Sequence, residues 1–425
     1  MIKEEIRSFI RGDVLPRFLR YVAIHTTSDE DSTTHPSTAC QFDLGRLLVE
    51  ELKGMGVSGA EMDEYGYVYA VLPATPGYDS TDPDSLGFCA HLDTSPAVSG
   101  KNVKPVIHPH YQGEVITYPA DPGLKLDPED CPALRQFIGE DIITSSGDTL
   151  LGADDKAGIA EIMSALAAMV RFPELRHPEI RICFTPDEEI GQGTAKIQIS
   201  RMGKVSYTLD GGIIGELENE CFDAYGAKIR FKGLNVHPGE AKNKMINAGA
   251  IAARYLAAMP EWQTPEHTEL REGFFHLTRM HGDENQAELQ FIIRDFIHAE
   301  NLKRIELLHS LKDYFMHRYP GLEIDVETRE QYRNMNEVLC RHPETVDMAK
   351  KAIENAGLRV IQKAIRGGTD GARLSFMGIP TPNLFAGGLL FHSLKEWIPV
   401  MALEKAAEVI LGVSELWYDR SQSAT

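Results

Sequence analysis

The chain has 425 residues, 43% of them hydrophobic and 25% charged, enough to bury a sizeable core in two domains or one large interrupted one. Its net charge of −20 repels phosphate backbones and anionic lipid, which argues against nucleic-acid and membrane partners. The six cysteines (Cys40, Cys89, Cys131, Cys183, Cys221, Cys340) include no C-x-x-C pair, a pattern of free buried thiols in a reducing compartment rather than a disulfide framework.

At the N-terminus, Ile2, Ile6, Phe9 and Ile10 recur at helical spacing, and Pro16 is expected to break the run. Lys3, Glu4, Glu5 and Arg7 interrupt residues 1–9, so no signal peptide is expected there, and no long charge-free apolar run follows. A cytoplasmic location is expected. Residues 38–54 read as a second helix ended by Gly54 and Gly56. Four short apolar runs then lead into polar clusters. Leu86–Ala90 leads to His91, Ile180–Phe184 to Asp187, Glu188 and Glu189, Val205–Leu209 to Asp210, and Asn383–Ala386 towards His392.

Between the first two runs, Ile159, Met163, Leu166 and Val170 mark a helix that begins just after Asp154. Strands alternating with helices predict an α/β fold, a mostly parallel sheet with flanking helices, whose ligands bind at the carboxyl ends of the strands. The charged clusters fall at those ends. Residues 101–141, rich in proline and acidic residues, are expected to form a long surface excursion, with His108 and His110 as surface residues.

The following region has a different rhythm. Tyr225, Ala227, Ile229 and Phe231 alternate as in a half-exposed strand. A helical run (245–259), two strand candidates (274–278 and 289–295), a long helix (301–319) and a last strand (322–326) complete a β-α-β-β-α-β order, the split βαβ arrangement. We expect an α+β ferredoxin-like domain over residues 219–332, inserted into a catalytic domain of residues 1–218 and 333–425.

The chemistry resides in five clusters. His91-Leu92-Asp93 puts two side chains on one side of a strand end, where an imidazole could ligate zinc and Asp93 orient it. Alone, the triplet is equally a polar strand end. Gly152-Ala-Asp-Asp-Lys-Ala-Gly158 opens a helix with two adjacent carboxylates; one cap explains one aspartate, whereas a carboxylate bridging two metal ions explains the pair. Thr185-Pro-Asp-Glu-Glu-Ile-Gly191 sets three carboxylates after an apolar strand, either a solvated acidic turn or a cluster that needs cations. In the second case one glutamate binds metal while its neighbour takes a proton from metal-activated water. Asp210 before Gly211-Gly212, and His392 with Glu396 four residues on, are ambiguous singly. Together the set has the oxygen-and-imidazole composition of a two-metal hydrolase.

The order His-x-Asp, Gly-x-Asp-x-Lys-x-Gly, Asp-Glu-Glu, Asp-Gly-Gly and His-x-x-x-Glu resembles the M20 family of zinc peptidases over nearly the whole chain. The strings 151–158, 184–189, 235–239, 293–296 and 365–372 are similar to tripeptide aminopeptidases of that family. The resemblance implies two zinc ions per subunit, with cobalt or manganese able to substitute. His91 and Asp210 would hold one, Glu189 and His392 the other, and Asp154 would bridge them, with a cis peptide between Asp154 and Asp155. It further implies Glu188 as general base, Asp93 as the residue orienting His91, and His237 as an oxyanion stabiliser. Arg294 and Arg366 would bind the free carboxylate of a short peptide.

Without the resemblance, His237 reads equally as a turn residue before Pro238, and each arginine as part of a structural salt bridge. The implied activity is release of the N-terminal residue from short peptides, preferentially tripeptides, with the inserted domain as a lid and a homodimer contact. Dipeptidase, carboxypeptidase and amide-deacylase activities share the same ligands. A non-catalytic binding protein of this fold would lack Glu188 or a ligand, and every such position is filled here.

Overall fold

A computed structural model describes residues 2–78 and 85–423. Met1, part of the stretch inspected for a signal segment, lies outside them. The chain forms two compact units, one of Met1–Asn219, Glu337–Lys363 and Thr369–Thr425, the other of Glu220–Asn336 and Ala364–Gly368.

The first unit is built on an eight-stranded sheet in the spatial order Ser58–Met62, Val68–Leu72, Glu179–Thr185, Ser85–His91, Val205–Gly211, Asn383–Phe385, Glu216–Cys221, Ile361–Ile365. Glu179–Thr185, Ser85–His91, Val205–Gly211 and Asn383–Phe385 run parallel, and they are flanked by antiparallel pairs. The sheet is therefore mixed, with parallel pairing across these four strands and an antiparallel neighbour on either side of them. Alternate residues face opposite sides, as a period of two requires. Val68, Phe88, Ala90 and Ile182 join the large core with helices α1 (Glu4–Val22), α2 (Gln41–Gly54) and α3 (Ala153–Arg171). Tyr67, Tyr69, Cys89 and Cys183 join a second cluster with Ile197, Leu374 and Ile379.

Helix α1 runs through Pro16 instead of ending there. The proline lacks one backbone N–H, but Ile6, Ile10 and Val14 before it and Phe18, Tyr21 and Val22 after it are all buried, and that packing outweighs the loss. In α3, Ile159, Met163 and Leu166 are buried, whereas Val170 is exposed near the helix end.

Residues 101–141 are more than a surface excursion. Val106–His108 pairs with Ile142–Thr144, which also pairs with Trp397–Pro399. Tyr111, Ile116, Tyr118, Leu126, Leu134 and Phe137 pack with Trp397 as a core of their own. The apolar residues are scattered over very short strands and turns, too short to show a period in sequence. His108 is accordingly half-buried, with Nε2 2.9 Å from the Thr144 hydroxyl, while His110 is exposed. All six cysteines are free; four are buried, but Cys40 is partly exposed and Cys340 exposed. Among the described residues no helix is long and apolar enough to cross a membrane.

The second unit is a four-stranded antiparallel sheet in the order Phe274–Gly282, Gln286–Asp295, Asp223–Lys232, Glu323–Tyr332, with helices Ala248–Ala257 and His298–Arg318. Strand and helix order make it ferredoxin-like. Ala227, Ile229, Phe231 and Leu289 from the sheet pack with Tyr255, Leu308 and Phe315 from the helices. The first helix begins later than its apolar run because Asn247 caps it, accepting the Ala250 N–H at 2.8 Å.

Candidate metal centre

Four of the five clusters singled out in the first unit sit where a strand or helix begins or ends, whereas His392 lies in the loop between Asn383–Phe385 and Trp397–Pro399. His91 is the last residue of its strand. Its Nδ1 lies 2.9 Å from the Asp93 main-chain oxygen and 3.5 Å from the Asp93 carboxylate, which leaves Nε2 to face Asp154 and Asp210. Asp154 is the second residue of α3, with non-helical φ/ψ, and its peptide bond to Asp155 is cis. Asp154 Oδ1 is 2.8 Å from His91 Nε2, and Oδ2 is 3.1 Å from His392 Nε2. Two imidazoles from distant parts of the chain thus address the two oxygens of one carboxylate.

Each imidazole also faces a second acid. Asp210 Oδ1 lies 3.8 Å from His91 Nε2, and Glu189 Oε2 lies 2.9 Å from His392 Nε2. The two sides differ in access, since the His392 side chain is 46% exposed and that of His91 only 2%. The centre is open on the His392 side.

Buried polar groups hold these candidate ligands from behind. The Asp93 carboxylate accepts the main-chain N–H of Glu188 at 2.9 Å and of Glu189 at 3.2 Å. Asn383 Oδ1 accepts the Asp210 N–H at 3.0 Å, and Asn383 donates to Glu218 at 2.6 Å. Asp155 Oδ2 accepts the His91 N–H at 3.1 Å. Gly158 lets α3 lie against the strand that carries Asp210, because a Cβ there would collide with the Leu209 carbonyl oxygen and the Asp155 carboxylate.

Sequence reasoning grouped Asp187 with its two acidic neighbours, but the fold separates it. Asp187 accepts the Ser37 N–H (2.7 Å), the Ser37 hydroxyl (2.6 Å) and Gln41 Nε2 (2.7 Å), and so ties down the segment before α2. Three further residues had no role assigned from sequence. Glu396 accepts the N–H groups of Leu151, Gly152 and Asp154. Asp370 accepts the Thr185 hydroxyl at 2.7 Å, and buried Lys156 donates to the Ile24 carbonyl oxygen at 2.6 Å. All three stand inside motifs quoted above, but their partners are distant in sequence and the strings give no sign of them.

The electrostatics show an excess of acid. Burial opposes charge on His91, yet its bonds to Asp154, Asp210 and Asp93 raise its pKa well above the ordinary imidazole range. His392 is pushed up to about 11 by Asp154 and Glu189. Burial works against ionising Asp154 too, but the two histidines hold it below the usual carboxylate range. The remaining acids go the other way. Burial and then the Asp154 charge push Glu189 up to about 8, while burial followed by Asp210 and Asp370 raises Glu188 well above normal. Glu189 Oε1 and Asp155 Oδ1 are buried with no hydrogen-bond partner among the described residues. Two imidazoles, several carboxylates and orphaned buried oxygens fit divalent cations of the zinc type.

His237, Arg294 and Arg366 belong to the second unit. His237 is exposed and caps a short turn, its Nδ1 accepting the Gly239 N–H at 3.2 Å. Neither arginine forms an ion pair with a carboxylate among the described residues. Arg294 bonds through Nη1 to the Tyr225 and Ile293 carbonyl oxygens and lies 5.4 Å from the Tyr332 ring. Arg366 uses Nη1 on the Leu270 and Glu272 carbonyls and Nη2 on Thr268.

Known proteins resemble the whole chain. Residues 150–415 match the family described as peptidase family M20/M25/M40. Peptidase T of Clostridium acetobutylicum is 46% identical over 409 residues, covering 96% of this chain and 100% of that protein. Among solved structures, aminopeptidase PepT of Bacillus cereus superposes with a TM-score of 0.74 at 23% identity, over 96% of this chain and 98% of that one. A tripeptidase of Staphylococcus aureus superposes with a TM-score of 0.73 at 20% identity, over 96% and 99%. By the extent of these matches, the chain belongs to peptidase family M20/M25/M40.

Proposed function

We propose that this peptidase is an aminopeptidase that releases the N-terminal residue of short peptides, tripeptides above all, at a two-metal centre. The observation that carries this reading is Asp154, whose two oxygens face His91 and His392 separately, each with a further acid beside it. Relatives called peptidase T, and solved neighbours that are an aminopeptidase and a tripeptidase, support the substrate class. The free cysteines support a reducing, cytoplasmic setting.

His91 and Asp210 would hold one ion, His392 and Glu189 the other, with Asp154 between them. Zinc suits this donor set, and cobalt or manganese would substitute. Ions bound there would polarise the scissile carbonyl and ease deprotonation of a water.

Glu188 is suited to the proton. Its main chain is pinned by Asp93, yet its carboxylate has no hydrogen-bond partner among the described residues. Burial raises its proton affinity. It would therefore accept the proton of the attacking water and return it to the departing amine. Asp93 would keep Glu188, Glu189 and His91 in register. On the second unit, His237 is assigned to the oxyanion, and Arg294 and Arg366 to the peptide carboxylate, by family resemblance.

The test is a parallel assay of Leu-Gly-Gly, Leu-Gly and N-acetylleucine, with metal content measured on the same sample. Release of free leucine and intact Gly-Gly from the tripeptide, faster than cleavage of the other two, together with bound divalent metal is expected. Preference for the acylated substrate, or full activity in metal-free protein, would overturn the reading.

A further inference from the structure

Glu396 follows His392 by four residues, and its side chain is buried. No lysine or arginine pairs with it among the described residues. Its partners are three main-chain donors of one loop: Oε2 accepts the N–H of Leu151 at 2.8 Å and of Gly152 at 2.9 Å, and Oε1 accepts that of Asp154 at 3.1 Å. A buried carboxylate is costly unless its oxygens are satisfied, so an apolar side chain would fill this space at lower cost if filling were all that was needed.

The loop is shaped for the contact. Gly152 adopts φ +82°, and the turn directs successive N–H groups to one side at the start of α3, a concavity suited to an anionic oxygen. Glu396 is itself held in place. Its N–H donates to the Ser393 carbonyl oxygen at 3.3 Å, and the next residue, Trp397, exchanges two main-chain bonds with Leu389 at 2.9 and 3.1 Å. Trp397–Pro399 then pairs with Ile142–Thr144. The loop 389–397, which carries His392, is closed at its base, and the Glu396 side chain extends from that base to the loop that carries Asp154.

We infer that Glu396 is a positioning residue of the metal centre, clamping the Asp154 loop to the His392 loop so that the two ligands keep their spacing. This rests on the metal-centre reading above. No atom of Glu396 touches a reacting group. Its effect is on where Asp154 and His392 stand.

The experiment uses the full-length protein and the variants Glu396→Gln and Glu396→Asp. Zinc affinity is measured by chelator competition, the visible absorption of the Co(II) form is recorded, and kcat and KM are determined alongside Tm. Glutamine keeps the shape but offers one acceptor oxygen, so its NH2 must oppose at least one main-chain donor. Glu396→Gln is expected to weaken metal binding by about 10–100-fold, change the Co(II) band and lower kcat more than it raises KM. Glu396→Asp, which keeps the charge on a shorter arm, is expected to recover part of the affinity.

A folded Glu396→Gln protein with native affinity and a native Co(II) band overturns the inference, even if Tm falls. Should that variant not fold, Glu396→Asp decides: native affinity and spectrum there overturn the inference equally. If the unaltered protein binds no metal, the metal-centre reading fails and takes this one with it. Two tightly bound ions in both native and Gln proteins sink only the role of Glu396.

Discussion

The carboxylate of Asp93 and the main chain of Glu188 are joined by a 2.9 Å hydrogen bond, and the second oxygen of the same carboxylate takes the Glu189 N–H at 3.2 Å. One side chain therefore sets the position of both glutamates, while its main-chain oxygen meets His91 Nδ1. Asp93→Asn keeps the volume but turns one acceptor into a donor facing a donor. We expect kcat to fall by about 10–100-fold in a protein that still folds. Native kcat in the folded variant would show that the contact has no bearing on turnover.

Glu188→Gln retains the pinned backbone and removes the proposed proton acceptor. The expected loss in kcat is about 10²–10⁴-fold, with metal content unchanged because no ligand is altered. Steady-state kinetics combined with elemental analysis checks both halves. Substantial activity in the variant would remove Glu188 from the mechanism.

Metal binding should expel protons. With His392 pushed up to about 11 and Glu189 up to about 8, both carry protons at neutral pH in the metal-free protein, and a ligand must give its proton up. Folded pKa values above the unfolded ones mean that these protons stay bound as pH rises past the ordinary range, until the folded pKa is reached. Apparent metal affinity should therefore climb with pH through the neutral and alkaline range. Calorimetric titration of the metal-free protein in buffers of different ionisation enthalpy reports the released protons directly. A heat independent of buffer would contradict the expectation.

Glu161 on α3 is fully buried, and neither carboxylate oxygen has a partner among the described residues. Burial raises its pKa well above the ordinary 4.5. The folded chain then keeps a proton that the unfolded chain releases above that value, so stability falls as pH rises. The slope is up to about 1.4 kcal/mol per pH unit until the folded pKa is reached. Glu161→Gln removes the penalty. Denaturant unfolding should find the variant more stable than the native protein in mildly alkaline buffer, with the gap closing towards pH 4.5. Parallel pH profiles for the two proteins would refute this.

Arg294 and Arg366 should separate in kinetics. Four of the five guanidinium donors of Arg366 are taken up by carbonyl and hydroxyl oxygens of its own unit, whereas Arg294 retains Nε and Nη2. Arg294→Ala is expected to raise KM for a tripeptide about tenfold or more with Tm little changed, the loss of one charge-assisted contact. Arg366→Ala is expected to lower Tm first. The opposite pattern would exchange the two roles.

Much of this architecture could be read before any coordinates. The α/β class and the ferredoxin-like order of the second unit follow from periods of two and 3.6, which depend only on neighbouring residues. The M20 resemblance was legible in short strings such as Gly152–Gly158 and Thr185–Gly191, because a metal site repeats its ligand types at fixed local spacing. Where local pattern failed, the cause was packing between segments. Pro16 was expected to end a helix that burial on both sides carries through. Residues 101–141 looked like a surface excursion because their apolar residues meet only across short turns around Trp397. Asp187 looked like a third site acid until Ser37 and Gln41 claimed it.

Residue types and spacing were enough to say that this chain carries imidazoles and carboxylates at strand ends, and the resemblance of its motifs pointed to the M20 peptidases. Which acid faces which histidine, and what holds each in place, depended on the folded chain. Asp154 lies 238 residues from His392, and Glu396 lies 242 from Asp154. Contacts at such separation leave no period or spacing in a single sequence, because they arise only when the sheet brings remote loops to one edge and burial makes every unpaired polar group costly.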